Sequence, residues 1–192
     1  MTGADVLSTL RIAIALVIAG VATAPSTQSA SALTLLAFAC GVATDIVGGL
    51  LGPRDRTPHG RVLDSLADKA LVYAVLIPLA RSGVPPPVLL LPLMARDAVA
   101  VALHVVAARQ RTLLHVGTIG KLKTAILYCA CAAPLTLDWM LGGSGPVTVD
   151  PGDLGTILPF LLLSQLAIVL ATLLSFVTLY RYILTLWPRG TA

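Results

Sequence analysis

Charge is scarce in this chain. Only 11% of its 192 residues are charged, against 57% that are hydrophobic, and glutamate does not occur. Soluble domains carry about 25% charged residues. So little charge cannot cover the surface of a soluble fold, and the composition excludes an ordinary water-soluble protein. At this length we expect one membrane domain over residues 1–192. No internal repeat or low-complexity tract occurs, and we expect no nucleic-acid partner.

Cysteine is also rare. Cys40, Cys129 and Cys131 all lie in apolar segments and show no C-x-x-C or histidine spacing. This pattern argues against a zinc site or a disulfide framework. We expect the three thiols to be small buried hydrophobes.

Long apolar runs dominate the rest of the sequence. A membrane-spanning helix needs about 20 mainly apolar residues, and the runs predict an all-α polytopic membrane protein with about six transmembrane helices. The first run is short, so we expect its start at the membrane interface. With Arg11 before it, this run also fits a cleaved signal peptide, although Asp5 and Pro25 favour a retained helix. The predicted spans are near Ile12–Ala24, Ala30–Leu51, Leu63–Ala80, Pro86–Ala108, Ile119–Leu141 and Leu154–Leu186.

Basic residues are concentrated in alternate loops. They follow the second and fourth predicted spans, whereas the segment at 138–153 is purely acidic. The positive-inside rule therefore predicts that both termini and the two basic loops are cytoplasmic. The basic residues concerned are Arg54, Arg56, Arg61, Arg109, Arg111, Lys121 and Lys123.

Three aspartates interrupt the apolar runs. Asp45 lies towards the cytoplasmic end of the second span, and Asp64 and Asp68 lie at the start of the third. A charge in a spanning helix costs about 2.5–3.5 kcal/mol, so it is a functional candidate. Residues four apart share one helix face, and carboxylates suit Mg²⁺ or Mn²⁺. The alternative is hydrated helix ends paired with the arginines of the following loop.

The spacing around these aspartates resembles the CDP-alcohol phosphatidyltransferase family. That family carries D-x-x-D-G-x-x-A-R, a loop, and then G-x-x-x-D-x-x-x-D. The match begins at Asp45 and ends with Gly60, Asp64 and Asp68. It departs from the family at Gly48, which replaces the second aspartate, and at Gly52-Pro53, which replaces Ala-Arg.

Three further segments are similar to family patterns. Asp5–Arg11 resembles N-x-L-T-x-x-R, and Arg96-Asp97 stands where members often have Arg-Glu or Arg-Asp. Ile119–Thr124 is similar to I-G-K-x-K-T of bacterial phosphatidylglycerophosphate synthases and related cardiolipin synthases. This last segment implies a bacterial cytoplasmic membrane protein that uses glycerol 3-phosphate as its acceptor.

The resemblance implies transfer of a phosphatidyl group from CDP-diacylglycerol to an alcohol, with release of CMP. Mg²⁺ or Mn²⁺ would be held by Asp45, Asp64 and Asp68, and Asp68 would also be the catalytic base. Relatives also imply a homodimer. The implied CDP-binding residues are Thr44, Gly49, Arg54 and Gly60, and the implied acceptor-phosphate ligands are Arg96, Lys121 and Lys123.

Two alternatives remain open from the sequence. The loss of the second aspartate at Gly48 is compatible with a catalytically impaired member that binds lipid or nucleotide, or assists a partner. A small transporter would also place aspartates in the membrane, although such charges usually lie near the midplane.

Arg96 lies inside an apolar span and needs a partner or ligand; Asp97 follows it but on another helix face.

Overall fold

Six α-helices form the protein in the computed structural model, which describes residues 3–23, 25, 27–50, 58–81, 85–109, 118–143 and 154–186. No strand occurs among these residues, so the all-α prediction is confirmed. The helices are α1 (Gly3–Val21), α2 (Gln28–Leu50), α3 (Pro58–Arg81), α4 (Pro87–Arg109), α5 (Thr118–Met140) and α6 (Leu154–Leu186).

The outer surface of the bundle is apolar. Leu16, Leu36, Leu50 and Leu166 are 64–81% exposed, which suits contact with lipid rather than water. Three helices are long and apolar enough to span a membrane, over Gln28–Leu50, Pro87–Ala107 and Ile157–Leu186. The architecture is therefore that of a polytopic membrane protein, as the sequence predicts.

The helices pack as a closed ring in the order α1, α2, α5, α6, α4 and α3. Helix α3 also contacts α5 and α2 across the ring. The centre is filled by fully buried side chains, among them Leu71, Leu76, Leu93, Cys131 and Ile168. Because α3 contacts four neighbours, its side chains meet residues from most of the bundle.

Gly41 allows α2 and α3 to approach closely. A Cβ atom at this position would lie 2.7 Å from both Cδ atoms of Leu71. Only glycine accepts this separation without moving the leucine. Asp45 follows Gly41 by about one helical turn, so the contact helps to hold Asp45 beside α3.

The first helix begins earlier than the sequence predicts. It starts at Gly3, whereas the apolar run starts at Ile12. Its early polar residues are buried: Asp5 is 8% exposed and Arg11 is 0% exposed. These charges face the bundle, and the expectation that the helix starts at the membrane interface stays a prediction. The other helix boundaries agree with the predicted spans to within about five residues.

The cysteine prediction is correct for only one residue. Cys131 is buried in the core, whereas Cys40 and Cys129 are exposed. All three thiols are free, as expected. The two exposed cysteines lie on apolar helices whose outer faces carry small and aliphatic side chains, so an apolar segment alone does not imply a buried thiol.

Candidate active site

Asp45, Asp64 and Asp68 meet at one end of the bundle. One carboxylate oxygen from each lies within 4.8 Å of the others. The side chains are 23%, 14% and 29% exposed, respectively. The last part of α2 contributes Asp45, and the first turns of α3 contribute the other two. The predicted convergence of these carboxylates from two helices is present; we call this group the aspartate triad.

Arg11 of α1 reaches the middle of the aspartate triad. Its Nη1 atom lies 3.2 Å from Asp45 Oδ1 and 3.5 Å from Asp64 Oδ1, and it forms a short ion pair with Asp68. The guanidinium is fully buried. One positive charge therefore contacts three negative ones, which reduces the repulsion among the carboxylates.

Two hydroxyl groups orient the triad. Ser8 donates a hydrogen bond of 3.1 Å to Asp64 Oδ1, and Tyr128 donates one of 3.0 Å to Asp45 Oδ2. Tyr128 itself packs edge-on against Phe38 in the core. Helices α1 and α5 thus hold the carboxylates of α2 and α3 in fixed orientations, as the outer hydrogen bonds of metal sites do.

A second ionic cluster surrounds Asp97 of α4. Arg96 Nη1 donates to Asp97 Oδ1 at 2.6 Å, Tyr73 donates to Oδ2 at 2.9 Å, and Lys123 lies 3.4 Å from Oδ1. Both Arg96 and Asp97 are buried. Asp97 leaves the helix on another face than Arg96, as expected for adjacent residues, and the long arginine side chain extends sideways to reach it.

Arg96 also fastens α4 to α6. Its Nε donates to the carbonyl oxygen of Ser175 at 2.7 Å, and its Nη2 donates a short hydrogen bond to Thr178. All three guanidinium nitrogens of Arg96 are therefore engaged within the protein. The structure places this predicted phosphate ligand in an interhelical clamp.

A cavity of about 50 Å³ connects the two clusters. Two acidic residues, Asp68 and Asp97, line its wall together with Lys69, Lys123 and Thr124. Lys69 is held by hydrogen bonds of 3.0 Å and 2.9 Å to the carbonyl and hydroxyl oxygens of Ser65. A cavity must offer about 10–15 Å³ to hold one water, so this cavity accepts a few small polar groups.

The family model for CDP-alcohol phosphatidyltransferase matches residues 1–187. The match covers all six helices and both ionic clusters. The chain belongs to the CDP-alcohol phosphatidyltransferase family. This is a family of membrane transferases that act on CDP-alcohol substrates and generally depend on divalent metals. No solved structure matches the chain.

The aspartate triad fits the metal requirement of CDP-alcohol phosphatidyltransferases. Its three carboxylates offer hard oxygen donors, which Mg²⁺ and Mn²⁺ prefer. Their oxygens are close enough to share one ion after a small contraction. Gly48, at the position of the family's other motif aspartate, is buried on α2 and offers no side-chain ligand.

The remaining predicted residues lie in different environments. The Thr44 hydroxyl donates to the carbonyl of Gly41 at 2.7 Å, Gly49 is exposed with open space where a Cβ would be, and Gly60 is buried. Lys121 is exposed, whereas Lys123 lines the cavity. Arg54 lies outside the described residues.

Arg11, Lys69 and Tyr128 contact the site although the motif does not mark them. Arg11 ends the segment Asp5–Arg11, which resembles a family pattern, but that resemblance implied no contact with the aspartates. Lys69 follows Asp68 directly in the sequence and therefore leaves α3 in another direction, yet it lines the same cavity as Asp68. Nothing in the sequence near Tyr128 indicates that its hydroxyl reaches α2, because that contact depends on how α2 packs against α5.

Proposed function

We propose that this protein transfers the phosphatidyl group of CDP-diacylglycerol to glycerol 3-phosphate, with release of CMP. The observation that carries the proposal is the position of Asp68. This carboxylate belongs to the aspartate triad and also lines the cavity that contains Lys69 and Lys123. Asp68 therefore links the base and the metal ligands to the cations that would bind an anionic acceptor.

Asp68 is placed to act as the general base. The acceptor hydroxyl would enter the cavity, lose its proton to Asp68 and attack the phosphorus atom that carries the diacylglycerol. A new oxygen–phosphorus bond forms, the phosphorus–oxygen bond to CMP breaks, and CMP leaves with the electron pair. Mg²⁺ or Mn²⁺ held by the triad would neutralise the pyrophosphate and the charge that develops on CMP.

Lys69 and Lys123 are placed to hold an anionic acceptor. Both residues line the same cavity as the base, and a phosphate group suits such cations. Asp97 in the same wall can accept a hydrogen bond from a second hydroxyl of the acceptor. A small alcohol that carries both a phosphate and more than one hydroxyl, such as glycerol 3-phosphate, matches this combination.

The membrane arrangement completes the proposal. We place the triad end of the bundle at the cytoplasmic face of a bacterial inner membrane, since Arg109 and Lys121 lie at that end as the positive-inside rule requires. Both termini would then be cytoplasmic. Residues 1–192 would act as one domain, and we expect two copies to form a homodimer.

The test is a CMP-release assay with purified protein, CDP-diacylglycerol, Mg²⁺ or Mn²⁺ and a panel of alcohols. We expect glycerol 3-phosphate to be the preferred acceptor and Asp68→Asn to lower turnover by a factor of about 10²–10⁴. Asp138→Asn is the matched control, because Asp138 bonds Ser31 at the opposite end of the bundle. Equal activity in the two variants would exclude Asp68 as the base.

Gly48 supports one alternative function, an impaired family member that binds substrate without efficient turnover. The family's second motif aspartate is missing there, and the backbone at this position is buried beside the triad. Gly48→Asp restores the missing carboxylate. A large gain in turnover would indicate impaired but intact chemistry, whereas no activity in either protein, with CDP-diacylglycerol still bound, would favour a binding role.

A further inference from the structure

We propose that Arg11 is a tethered cation that competes with a divalent metal ion for the centre of the aspartate triad. The inference rests on the proposed metal-binding role of Asp45, Asp64 and Asp68. It adds a residue outside the acidic motif that controls the affinity of the triad for the metal. Metal binding would require this residue to move away.

The first argument is position. A single atom, Arg11 Nη1, contacts one oxygen of each aspartate, at 3.2 Å, at 3.5 Å and in the short ion pair with Asp68. One carboxylate oxygen from each of the three residues lies within 4.8 Å of the others. A Mg²⁺ ion held by all three carboxylates would need the space among them that Nη1 occupies. The metal and the guanidinium therefore cannot occupy this place together.

The second argument is how Arg11 is held. Its Nε and Nη2 atoms are buried and have no hydrogen-bond partner among the described residues. Each unpaired buried donor costs about 1–3 kcal/mol. The guanidinium therefore stays in place through its attraction to the carboxylates. A stronger cation on those carboxylates removes the main interaction that keeps it there.

The third argument is charge. Three carboxylates and one guanidinium leave a net charge of −2, whereas the triad alone carries −3. Two like charges at 4 Å repel by about 4 kcal/mol at an effective dielectric of 20. Arg11 keeps the carboxylates together before metal binds, and the same positive charge opposes the approach of a divalent ion.

Isothermal titration of purified protein with Mn²⁺ tests the inference. We expect Arg11→Gln to bind Mn²⁺ at least about tenfold more tightly than the wild type, because a unit positive charge at the site has been removed. Arg11→Lys keeps the charge and should stay near the wild-type affinity. Arg81→Gln is the matched control, since Arg81 is an exposed arginine at the other end of α3.

Thermal unfolding gives an independent measurement. Without metal, Arg11→Gln should unfold at a lower temperature, because the triad loses its counter-ion. Saturating Mn²⁺ should raise its unfolding temperature more than that of the wild type, since tighter binding to the native state stabilises it more. A loss of stability that Mn²⁺ does not restore, with unchanged Mn²⁺ affinity, would show a purely structural arginine and overturn the inference.

Asp64→Asn separates the inference from the proposed function. Mn²⁺ binding that is lost in Asp64→Asn but equal in the wild type and Arg11→Gln overturns only the role of Arg11. Absence of Mn²⁺ binding in every variant overturns both. If Arg11→Gln does not fold, ¹⁵N NMR of the wild-type arginine side chains during a Mg²⁺ titration replaces it. A shifted guanidinium signal supports displacement, and an unchanged spectrum contradicts it.

Discussion

Two buried arginines of this bundle are held in different ways. Each of the three guanidinium nitrogens of Arg96 has a partner on α4 or α6. Arg11 is buried at least as deeply, but among the described residues only its Nη1 has partners, and these are the carboxylates of the aspartate triad. Both residues lie in helices that face lipid on their other side.

We infer from this difference that Arg96 has a structural role, whereas Arg11 acts at the proposed metal site. A buried charge with every donor paired fixes the geometry of its neighbours, and removing it leaves an uncompensated partner. A buried charge with idle donors is held less firmly and can be exchanged for another cation. Arg96 holds Asp97 in the wall of the cavity, whereas we expect Arg11 and the triad to be the part that responds to ligands.

Among substitutions that test this comparison between the Arg11 and Arg96 sites, Asp64→Asn should have the largest effect. Loss of a metal ligand should lower CMP release about a thousandfold, because a bound metal contributes several kcal/mol of transition-state stabilisation. Thermal stability should be unchanged or higher, since one of three repelling carboxylates is gone. Activity assays and unfolding curves on the same preparation check both statements. A large loss of stability would make Asp64 structural.

Arg96→Gln should instead have its main effect on stability. It leaves Asp97 with a weaker set of partners and removes the bonds to Ser175 and Thr178, so the free energy of unfolding should fall by about 3 kcal/mol. Saturating Mg²⁺ should not restore it. Chemical unfolding in detergent with and without Mg²⁺ measures this. Complete rescue by the metal would place Arg96 in the metal site instead.

Lys123→Ala sharpens the comparison at the cavity where the clusters meet. We expect the KM for glycerol 3-phosphate to rise about tenfold to a hundredfold, since a hydrogen bond to a charged group contributes about 1.5–3 kcal/mol. The KM for CDP-diacylglycerol should change little. Lys121→Ala is the control on the exposed side of α5, and we expect a smaller effect there. Equal effects would indicate general surface electrostatics.

The smallest expected effects come from the two tyrosines. Tyr128→Phe removes the bond to Asp45, and Tyr73→Phe removes the bond to Asp97. Each loss is worth about 1 kcal/mol. Mn²⁺ affinity should fall about fivefold in Tyr128→Phe and stay constant in Tyr73→Phe, as titration calorimetry can show. The opposite pattern would assign metal binding to the Asp97 cluster instead of the aspartate triad.

The helices and the aspartate triad could be predicted because their signals are local. A long apolar run suffices to predict a spanning helix, and the i, i+4 spacing of Asp64 and Asp68 places both on one face. The start of α1 could not be predicted in this way. A hydropathy reading ends at the charge of Arg11, whereas the burial of that charge depends on carboxylates more than thirty residues away.

The second cluster could be predicted only in part for the same reason. Arg96 was identifiable as an ion in an apolar helix, but its partners Ser175 and Thr178 lie on α6, and no spacing rule links them. The cavity between Lys69 and Lys123 likewise depends on three helices packing together. Candidate residues can be identified from the sequence by their type, but interhelical contacts decide which of them share a cavity.

The order of the helices also divides the chemistry along the chain. All four charged groups that meet in the triad come from α1, α2 and the beginning of α3, while α4 and α5 contribute Asp97, Lys123 and Thr124 to the cavity. Under the proposed function, substitutions in the later helices would change the choice of alcohol, while the helices that activate the CDP-linked donor would stay constant.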